Sequence, residues 1–404
     1  MRRLRRAQCF RHRFPVLPVL AALLGSLLGL ASPPCEVAAQ GRVTAAAHWK
    51  LEEEPVLSLG GGREEVNEAE LFLWVTRVVR LQDGRVVVAD AGSSEVRIFH
   101  ATGAHQMTLG GRGEGPGEFP GLWSLWVVGD TLLVEDAFNG IHVFSAAGEF
   151  VRRLPPRISA VATRVRVRGF LRDLTMIGIH EDPSSERDLR AGIPLRLVRV
   201  DGGETRSLAR FPGRPMVQRR ADHAPSPIAY SPDTHVAVFP DRICAGHSSQ
   251  MVIDCMGPDG EHLYRIQQEV ARRPVTGVER DAYFRWMREI NAGAEEFLRV
   301  LPELTEFAPH LPAFGRLLAS DSGELWVGEA APGELFGPVS SPDRPMQWSV
   351  FSRGGDLLAR ITLPERFRLM SAGPDWIAGV RKDPLDVEEV VMFRLSRDRA
   401  GERR

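Results

Sequence analysis

The sequence lacks an excess of charge of either sign: 51 Lys and Arg residues stand against 52 Asp and Glu residues, for a formal net charge of -1 at pH 7. A dedicated nucleic-acid binder needs a basic surface, so we expect no nucleic-acid partner. Cysteine is also scarce, with four residues in 404 and no CxxC spacing, which argues against a structural zinc site. Because 43% of the residues are hydrophobic, the chain can nevertheless bury a large core.

A hydrophobic run long enough to span a bilayer is missing as well. Residues 16–31 are apolar but fall short of the ~20 residues that a membrane span needs. They follow an arginine-rich start and precede small residues, which predicts a signal peptide over residues 1–39, cleaved near Ala39. We therefore expect a periplasmic or extracellular protein without a membrane span after cleavage. Retention of this segment as an anchor, and lipid attachment at Cys35, stay open as alternatives.

Cleavage would leave only Cys244 and Cys255, in a compartment that permits disulfides. These cysteines flank a predicted hairpin, so a bridge between them is geometrically feasible. Two free thiols are the alternative.

Glycine and proline are abundant, with 39 and 29 residues, which suits a chain that reverses direction many times. Short β-branched runs separated by Gly and Asp turns repeat from residue 56 onward. Residues 83–90 and 95–99 are similar to residues 129–136 and 141–144, and each pair is followed by a Gly turn and another short run. Four such antiparallel strands make one blade of a β-propeller.

Later copies of this pattern diverge but keep their turns. They cover residues 164–211, 235–267, 314–363 and 366–395, and the last contains three strands instead of four. The missing strand is available near the N-terminus, where residues 56–61 match the fourth strand of the first copy at residues 107–111. The sequence therefore predicts an all-β fold, a six-bladed β-propeller closed by an N-terminal strand that hides both sheet edges.

One segment has helical periodicity. Thr276 and Glu279 have the spacing of a capping box, and apolar residues follow at helical intervals. We predict two short helices over about 277–306, inserted between blades four and five. The chain is then organised as a signal peptide, a lead segment over 40–54, the propeller over 55–397 and a charged tail over 398–404.

The glycine-rich connector of residues 109–119, taken together with a strand, a DG-type turn, Val-Ala-Asp at residues 88–90 and Val-Arg-Ile-Phe at residues 96–99, resembles the NHL repeat. The chain as a whole looks like the bacterial exported six-bladed β-propellers related to NHL. The match is specific over residues 78–154 and 325–363 and loose in blades three and four. This resemblance implies a scaffold for binding, with lyase or lactonase chemistry in some relatives, and it implies no catalytic residue here.

Strand direction predicts which loops share a face. In a blade of strands a to d, with strand a nearest the axis, the b-to-c and d-to-next-a connections emerge together. The long connections are all of this kind: residues 110–120, 180–193, 212–234, 268–313, 329–346 and 381–388. Since loops on a rigid scaffold commonly carry function, we expect the binding site on this face, near the central channel.

The candidate binding residues are Arg77, Arg166 and Arg316 on predicted innermost strands, Arg112 on the glycine-rich connector, and Arg219, Arg220, Asp222 and His223 on the loop before blade four. Paired arginines suit an anionic group, and a His beside an Asp could act as a base or a metal ligand. A solvated loop is the simpler interpretation of the whole segment over residues 214–230. No single segment has metal-ligand spacing, so we predict neither a metal nor another cofactor.

These observations favour a non-catalytic, monomeric propeller that binds a protein, peptide or glycan on its loop-rich face. The alternative is an exported lactonase-like or lyase-like enzyme with a metal in the channel. Such an enzyme needs carboxylates, Asn or His converging at the channel mouth, whereas the predicted innermost strands are apolar or basic.

Overall fold

The structure is a computed structural model, and it describes residues 47–61, 67–154, 165–182, 188–201, 204–221, 223–331, 344–383 and 385–397. Within these ranges about half of the chain is β-strand, with two α-helices and one 3-10 helix, Glu68–Glu70. The predicted all-β six-bladed propeller is confirmed.

Each of the six blades contains four antiparallel strands, called a to d from the channel to the rim. Blade one is Val75–Arg80, Val86–Asp90, Glu95–Phe99 and His105–Gly110. Blade two is Leu122–Val128, Thr131–Asp136, Gly140–Ser145 and Phe150–Leu154. Blade three is Arg166–Phe170, Met176–Glu181, Leu195–Asp201 and Glu204–Phe211.

Blade four is Thr234–Val238, Ile243–His247, Met251–Met256 and His262–Gln268. Blade five is Arg316–Ala319, Leu325–Gly328, Met346–Phe351 and Leu357–Leu363. Blade six is Phe367–Ala372, Trp376–Lys382 and Glu388–Ser396, and its strand d is Leu57–Gly60. A two-stranded hairpin, Met216–Val217 with Ser226–Pro227, lies outside the blades.

The strands a of neighbouring blades contact one another around a closed ring, and this ring surrounds the channel. In blades one, two, three and six the pairing of strand a with strand b contains a register shift. A bulge adds one residue to one strand and changes which side chains point to each face beyond it. The channel lining is therefore not a simple alternation along each innermost strand.

The N-terminal strand closes the ring as predicted. Leu57–Gly60 pairs antiparallel with Glu388–Ser396 of blade six. Leu57 and Leu59 are buried in the cluster between blades six and one, and the Ser58 hydroxyl donates to the Glu389 carboxylate. Burial of this apolar face offsets the entropy of fixing the chain end.

Part of the predicted lead segment, residues 40–54, also forms strands. Ala47–His48 pairs parallel with strand d of blade five, and Lys50–Leu51 pairs with strand c of blade six. Between them, the Trp49 ring is buried 6.1 Å from the Trp326 ring, and the Arg397 guanidinium lies 4.3 Å above it. The chain therefore bridges two blades before it closes the ring.

The hydrophobic core is divided into clusters between adjacent blades. Val87 and Leu109 of blade one, for example, pack with Leu125 and Val134 of blade two. These side chains stand on facing sheets, so each blade is stabilised through its neighbours.

The predicted helices are present as α1, Gly277–Ile290, and α2, Glu295–Leu304. Thr276 and Glu279 form the capping box, in which the Thr276 N–H donates to the Glu279 carboxylate at 2.9 Å. In the described ranges, we find no helix whose length and apolar character would let it cross a membrane.

Cys244 and Cys255 face each other on strands b and c of blade four and are joined as a disulfide. Their Cα atoms lie 4.1 Å apart, and both side chains are fully buried. The pairing register of strands b and c places the two cysteines directly opposite each other, and opposite residues in an antiparallel pair are close neighbours.

Candidate functional site

The two faces of the ring differ in what they carry. Connections from strand b to c and from d to the next a form the loop-rich face, and the short a-to-b and c-to-d turns form the plain face. Segments of the loop-rich face bind each other: Arg190 lies 3.0 Å from Glu306, and Arg273 lies 3.0 Å from Glu329. These ion pairs tie the loops of blade three and of blade five to the helical connector.

The helices pack on the loop that precedes blade four. Tyr283 and Trp286 of α1 and Leu301 of α2 are buried in one cluster with Ala229 and Tyr230 of that loop. The Tyr230 hydroxyl donates to the Glu279 carbonyl at 2.9 Å. The apolar stripe of the insertion is therefore packing surface.

The predicted residues of this loop take part in that packing. Arg219 lies 3.4 Å from Glu306, and Arg220 lies 4.0 Å from Glu303 of α2. The carbonyl of His223 accepts from the Gln218 side chain at 2.9 Å. Asp222 lies outside the described residues. Binding by these residues stays a prediction, and a ligand would compete with the ion pairs of both arginines.

Two predicted arginines meet in the channel. Arg77 belongs to blade one and Arg316 to blade five, which are not adjacent, yet the two guanidinium groups repel each other. Burial, and then the charge of Arg316, lowers the pKa of Arg77 to about 10. The buried Arg77 Nε has no hydrogen-bond partner in the described residues, whereas Arg316 Nη1 donates to the Leu369 carbonyl at 2.8 Å. Arg77 is thus a positive group held in the channel.

Blade three contributes a second cation of this kind. Burial, and then the nearby exposed Arg166, lowers the pKa of the half-buried Arg168 to about 10. The neighbouring Glu135 of blade two is also affected, since burial raises its pKa to about 7 despite the charge of Arg168. Within the described part of the chain, neither Arg77 nor Arg168 has a carboxylate within ion-pair distance. Of the predicted residues, Arg166 lies at the start of its strand and Arg112 is exposed on its connector.

A third group of polar residues lies where α1 approaches strand a of blade four. Arg214, Asp233, His235 and Tyr283 line a cavity of about 30 Å³, which holds about one water molecule. Arg214 is 3.8 Å from Asp233, and its buried Nε and Nη2 atoms have no hydrogen-bond partner in the described residues.

The same neighbourhood depresses the basicity of a histidine. Burial lowers the pKa of His235 to about 4; the charge of Asp233 opposes this shift, and the charges of Arg168 and Arg214 add to it. His235 is therefore neutral at pH 7.

A larger cleft lies nearby on blade four, between its b-to-c turn and the segment after the helices. Its volume is about 540 Å³, within the usual range for small-molecule pockets. Met251, Val270, Leu311 and Pro312 line it together with His310. Its lining is mostly apolar and carries no convergent set of charges.

The described ranges contain no cluster of three or more His, Cys, Asp or Glu side chains that could hold a metal ion. Asp90 and Asp136, which recur at the end of strand b, serve as loop caps. Asp90 accepts from the Trp74 N–H at 2.8 Å, and Asp136 accepts from the Gly121 N–H at 2.8 Å.

Sequence reasoning selected Arg77, Arg166 and Arg316 but missed Arg168, Arg214 and His235. Arg168 is the extra residue of the bulge between Val167 and Gly169, so strand alternation does not predict its orientation. A signal was available, since the strand reads Arg-Val-Arg and one of its two arginines had to lie deeper in the channel.

No family model matches the chain, and no curated protein matches its sequence. Solved structures do resemble it. A member of the DUF4221 family from Bacteroides vulgatus is 11% identical with a TM-score of 0.51, covering 87% of this chain and 99% of that one. A candidate exported protein from Bacteroides fragilis is 11% identical with a TM-score of 0.48, covering 88% and 97%. A virginiamycin B lyase from Staphylococcus aureus is 10% identical with a TM-score of 0.40, covering 86% and 99%. At such identities the likeness concerns the fold alone.

Proposed function

We propose that this protein is an exported, NHL-like binding propeller whose loop-rich face admits the anionic group of a ligand into the central channel. Export is supported by the signal-peptide pattern of residues 1–39 and by the Cys244–Cys255 disulfide, because disulfides persist mainly in oxidising compartments.

The observation that carries the proposal is that two channel arginines lack an ion-pair partner at contact distance in the described residues, although more distant carboxylates attract them. Arg77 and Arg168 are held on rigid innermost strands, and neither has an ion-pair partner in the described residues. A desolvated charge without a partner costs free energy, and an anion that binds there recovers it. The guanidinium group also presents several N–H donors in a fixed geometry that suits carboxylate, sulfate and phosphate oxygens.

The nearby carboxyl groups do not neutralise this charge fully. Burial raises the pKa of Glu135 to about 7, so about half of this carboxyl is protonated at pH 7, whereas Asp321, with a pKa of about 6, stays mostly ionised. Partial protonation of Glu135 leaves more of the Arg168 charge available to an anion, and a positive site raises the local concentration of anions.

The metal-dependent lactonase-like or lyase-like alternative has no specific observation in its favour. It requires several His or carboxylate ligands converging on one point, and within the described ranges we find no such cluster. A binding function needs only the arginines and the loops that surround them.

The test is anion binding by the purified protein, measured by calorimetry with sulfate and with inorganic phosphate. Replacing Arg77→Gln or Arg168→Gln should weaken binding by about tenfold or more, since each removes a charge-assisted contact. The matched control is Arg353→Gln, which removes an arginine paired with Asp241 on the plain face and should leave binding unchanged. Failure of the unmodified protein to bind either anion, or equal weakening by the control, would refute the proposal.

A further inference from the structure

Large apolar side chains are exposed where blades one and two meet the channel entrance. Leu73 is 70% exposed, Phe138 is 71% exposed and Trp123 is 45% exposed. The Trp74 ring contacts the Trp123 ring edge to face, with centroids 6.3 Å apart. We call these four side chains the aromatic platform. Scattered exposed apolar residues are ordinary, but a contiguous group on a functional face marks a contact site.

The blade-one half of the platform is fixed by a buried carboxylate. Asp90 accepts from the backbone N–H groups of Leu73 at 3.2 Å and of Trp74 at 2.8 Å. The Leu73 side chain lies so close to Gly92 that any Cβ at that glycine would come within 2.4 Å of it. Leu73 is therefore held in place although it faces solvent.

The blade-two half repeats this construction. Asp136 accepts from the backbone N–H groups of Gly121 and Phe138, each at 2.8 Å. A Cβ on Gly121 would lie 2.6 Å from the Phe138 ring, so the ring lies directly on the glycine backbone. Both exposed side chains are thus pre-organised, which reduces the entropy lost when a ligand contacts them.

The platform lies directly above a channel cation. Trp74 precedes strand a of blade one, and Arg77 is the third residue of that strand. Three residues of extended chain span about 10 Å. Trp123 is the second residue of the neighbouring strand a, so the two Trp rings flank the same entrance. A ligand that enters here meets an apolar surface first and a guanidinium group deeper, at most about 10 Å away because the bulge between Val75 and Arg77 shortens the chain.

We infer that the ligand is a small amphipathic anion, with a ring-bearing apolar body on the aromatic platform and a carboxylate-type head directed to Arg77. This inference rests on the proposed function and specifies its ligand class. The distance fits a molecule of one or two fused rings. The exposed area is a few side chains, far below the ~1,200 Å² that a stable protein interface buries, which disfavours a protein partner.

The experiment compares three probes on the purified protein: 2-naphthoate, which has body and head; acetate, which has the head alone; and 2-naphthol, which has the body alone. Binding is followed by naphthyl fluorescence and by calorimetry. We expect 2-naphthoate to bind about tenfold or more tightly than either partial probe, because contact with the Trp rings adds to the contact of the carboxylate with Arg77.

Variants assign the two halves of the site. Trp123→Ala and Phe138→Ala should each remove most of the gain of 2-naphthoate over acetate and leave acetate and sulfate binding unchanged. Arg77→Gln should weaken the binding of 2-naphthoate, acetate and sulfate. Leu263→Ala is the control, because Leu263 is an exposed apolar residue on the rim of blade four. Use of two platform variants guards against one that fails to fold.

The possible results distinguish a failure of the platform inference from a failure of the proposed anion binding. If sulfate binds but 2-naphthoate gains nothing over acetate, or if both platform variants keep the gain, the platform inference is overturned and the anion-binding function stands. If 2-naphthol binds as tightly as 2-naphthoate, the head contact is refuted. If no anion binds at all, both the function and the inference fall.

Discussion

The plain face and the channel use arginine in opposite ways. On the plain face, Arg199 and Arg206 share Asp259 at 2.8 and 3.2 Å, and Arg85 lies 2.7 Å from Asp83. In the channel, Arg77 and Arg168 have no such partner in the described residues, although burial makes their charges more costly. Exposed ion pairs add little stability, and unpaired desolvated charges reduce it. The proposed binding of an anion in the channel would account for this difference.

The largest effect should come from opening the ring, since the channel exists only while the ring is closed. Deletion of residues 55–60 removes strand d of blade six together with the buried Leu57 and Leu59. The exposed sheet edge should cause aggregation and the loss of a single cooperative thermal transition. The control is Val56→Ser, at an exposed position. A deletion variant that stays soluble, monomeric and equally heat-stable would contradict this account of closure.

A smaller effect concerns how the free energy of unfolding depends on the protonation of His235. Its pKa is about 4 in the folded protein, below the ordinary value of 6.5, so between pH 6.5 and 4 the unfolded chain binds a proton that the folded chain does not. Stability should therefore fall as the pH falls through this window, by at most about 3 kcal/mol. The measurement is the free energy of unfolding by chemical denaturation at pH 7 and at pH 4. His235→Gln should make the difference between the two pH values smaller. His262→Gln, at an exposed position on the rim, should leave that difference unchanged. Equal acid sensitivity of the His235 variant and the unmodified protein would refute the depressed pKa.

The smallest predicted effect is on the pH dependence of binding. Because burial raises the pKa of Glu135 to about 7, lowering the pH from 8 to 6 protonates this carboxyl and leaves the Arg168 charge less compensated. Sulfate keeps its charge in this range, so its affinity should rise several-fold as the pH falls. Glu135→Gln should bind at the tighter level throughout, and Glu149→Gln on the plain-face turn of the same blade should behave like the unmodified protein. A flat profile in the unmodified protein would remove Glu135 from the site.

The fold was predictable because its signals are local and repeated. The turn at Asp83–Gly84 and the strand-ending Asp90 recur one blade later at Gly129–Asp130 and Asp136. Asp90 and Asp136 hold equivalent loops, because each accepts a hydrogen bond from the backbone N–H of the segment before strand a. Closure by Leu57–Gly60 was likewise visible as a copy of the strand d ending in blade one.

The strands on either side of Trp49 were not predictable in this way. Two residues are too few to show an alternation, and their pairing partners lie more than 300 positions away in sequence. What fixes them is tertiary contact, in particular the packing of Trp49 between two blades.

The candidate site was predicted only in outline. Strand direction assigned the face, but the channel-lining residues depend on register, and bulges such as that between Val75 and Arg77 shift the alternation. The role of Arg219 could not be deduced either, because its partner Glu306 is 87 residues away on the helical connector. The aromatic platform could not be predicted from the sequence, because its residues come from three separate segments.

The most direct test of the central claim is to locate an anion in the protein. Crystals soaked in selenate, an analogue of sulfate, would be measured at the selenium absorption edge, where the bound anion gives an anomalous signal. The account predicts the strongest peak inside the channel, within hydrogen-bond distance of the guanidinium group of Arg77 or Arg168. A channel without a peak, with selenate bound only at exposed arginines such as Arg206, would contradict it.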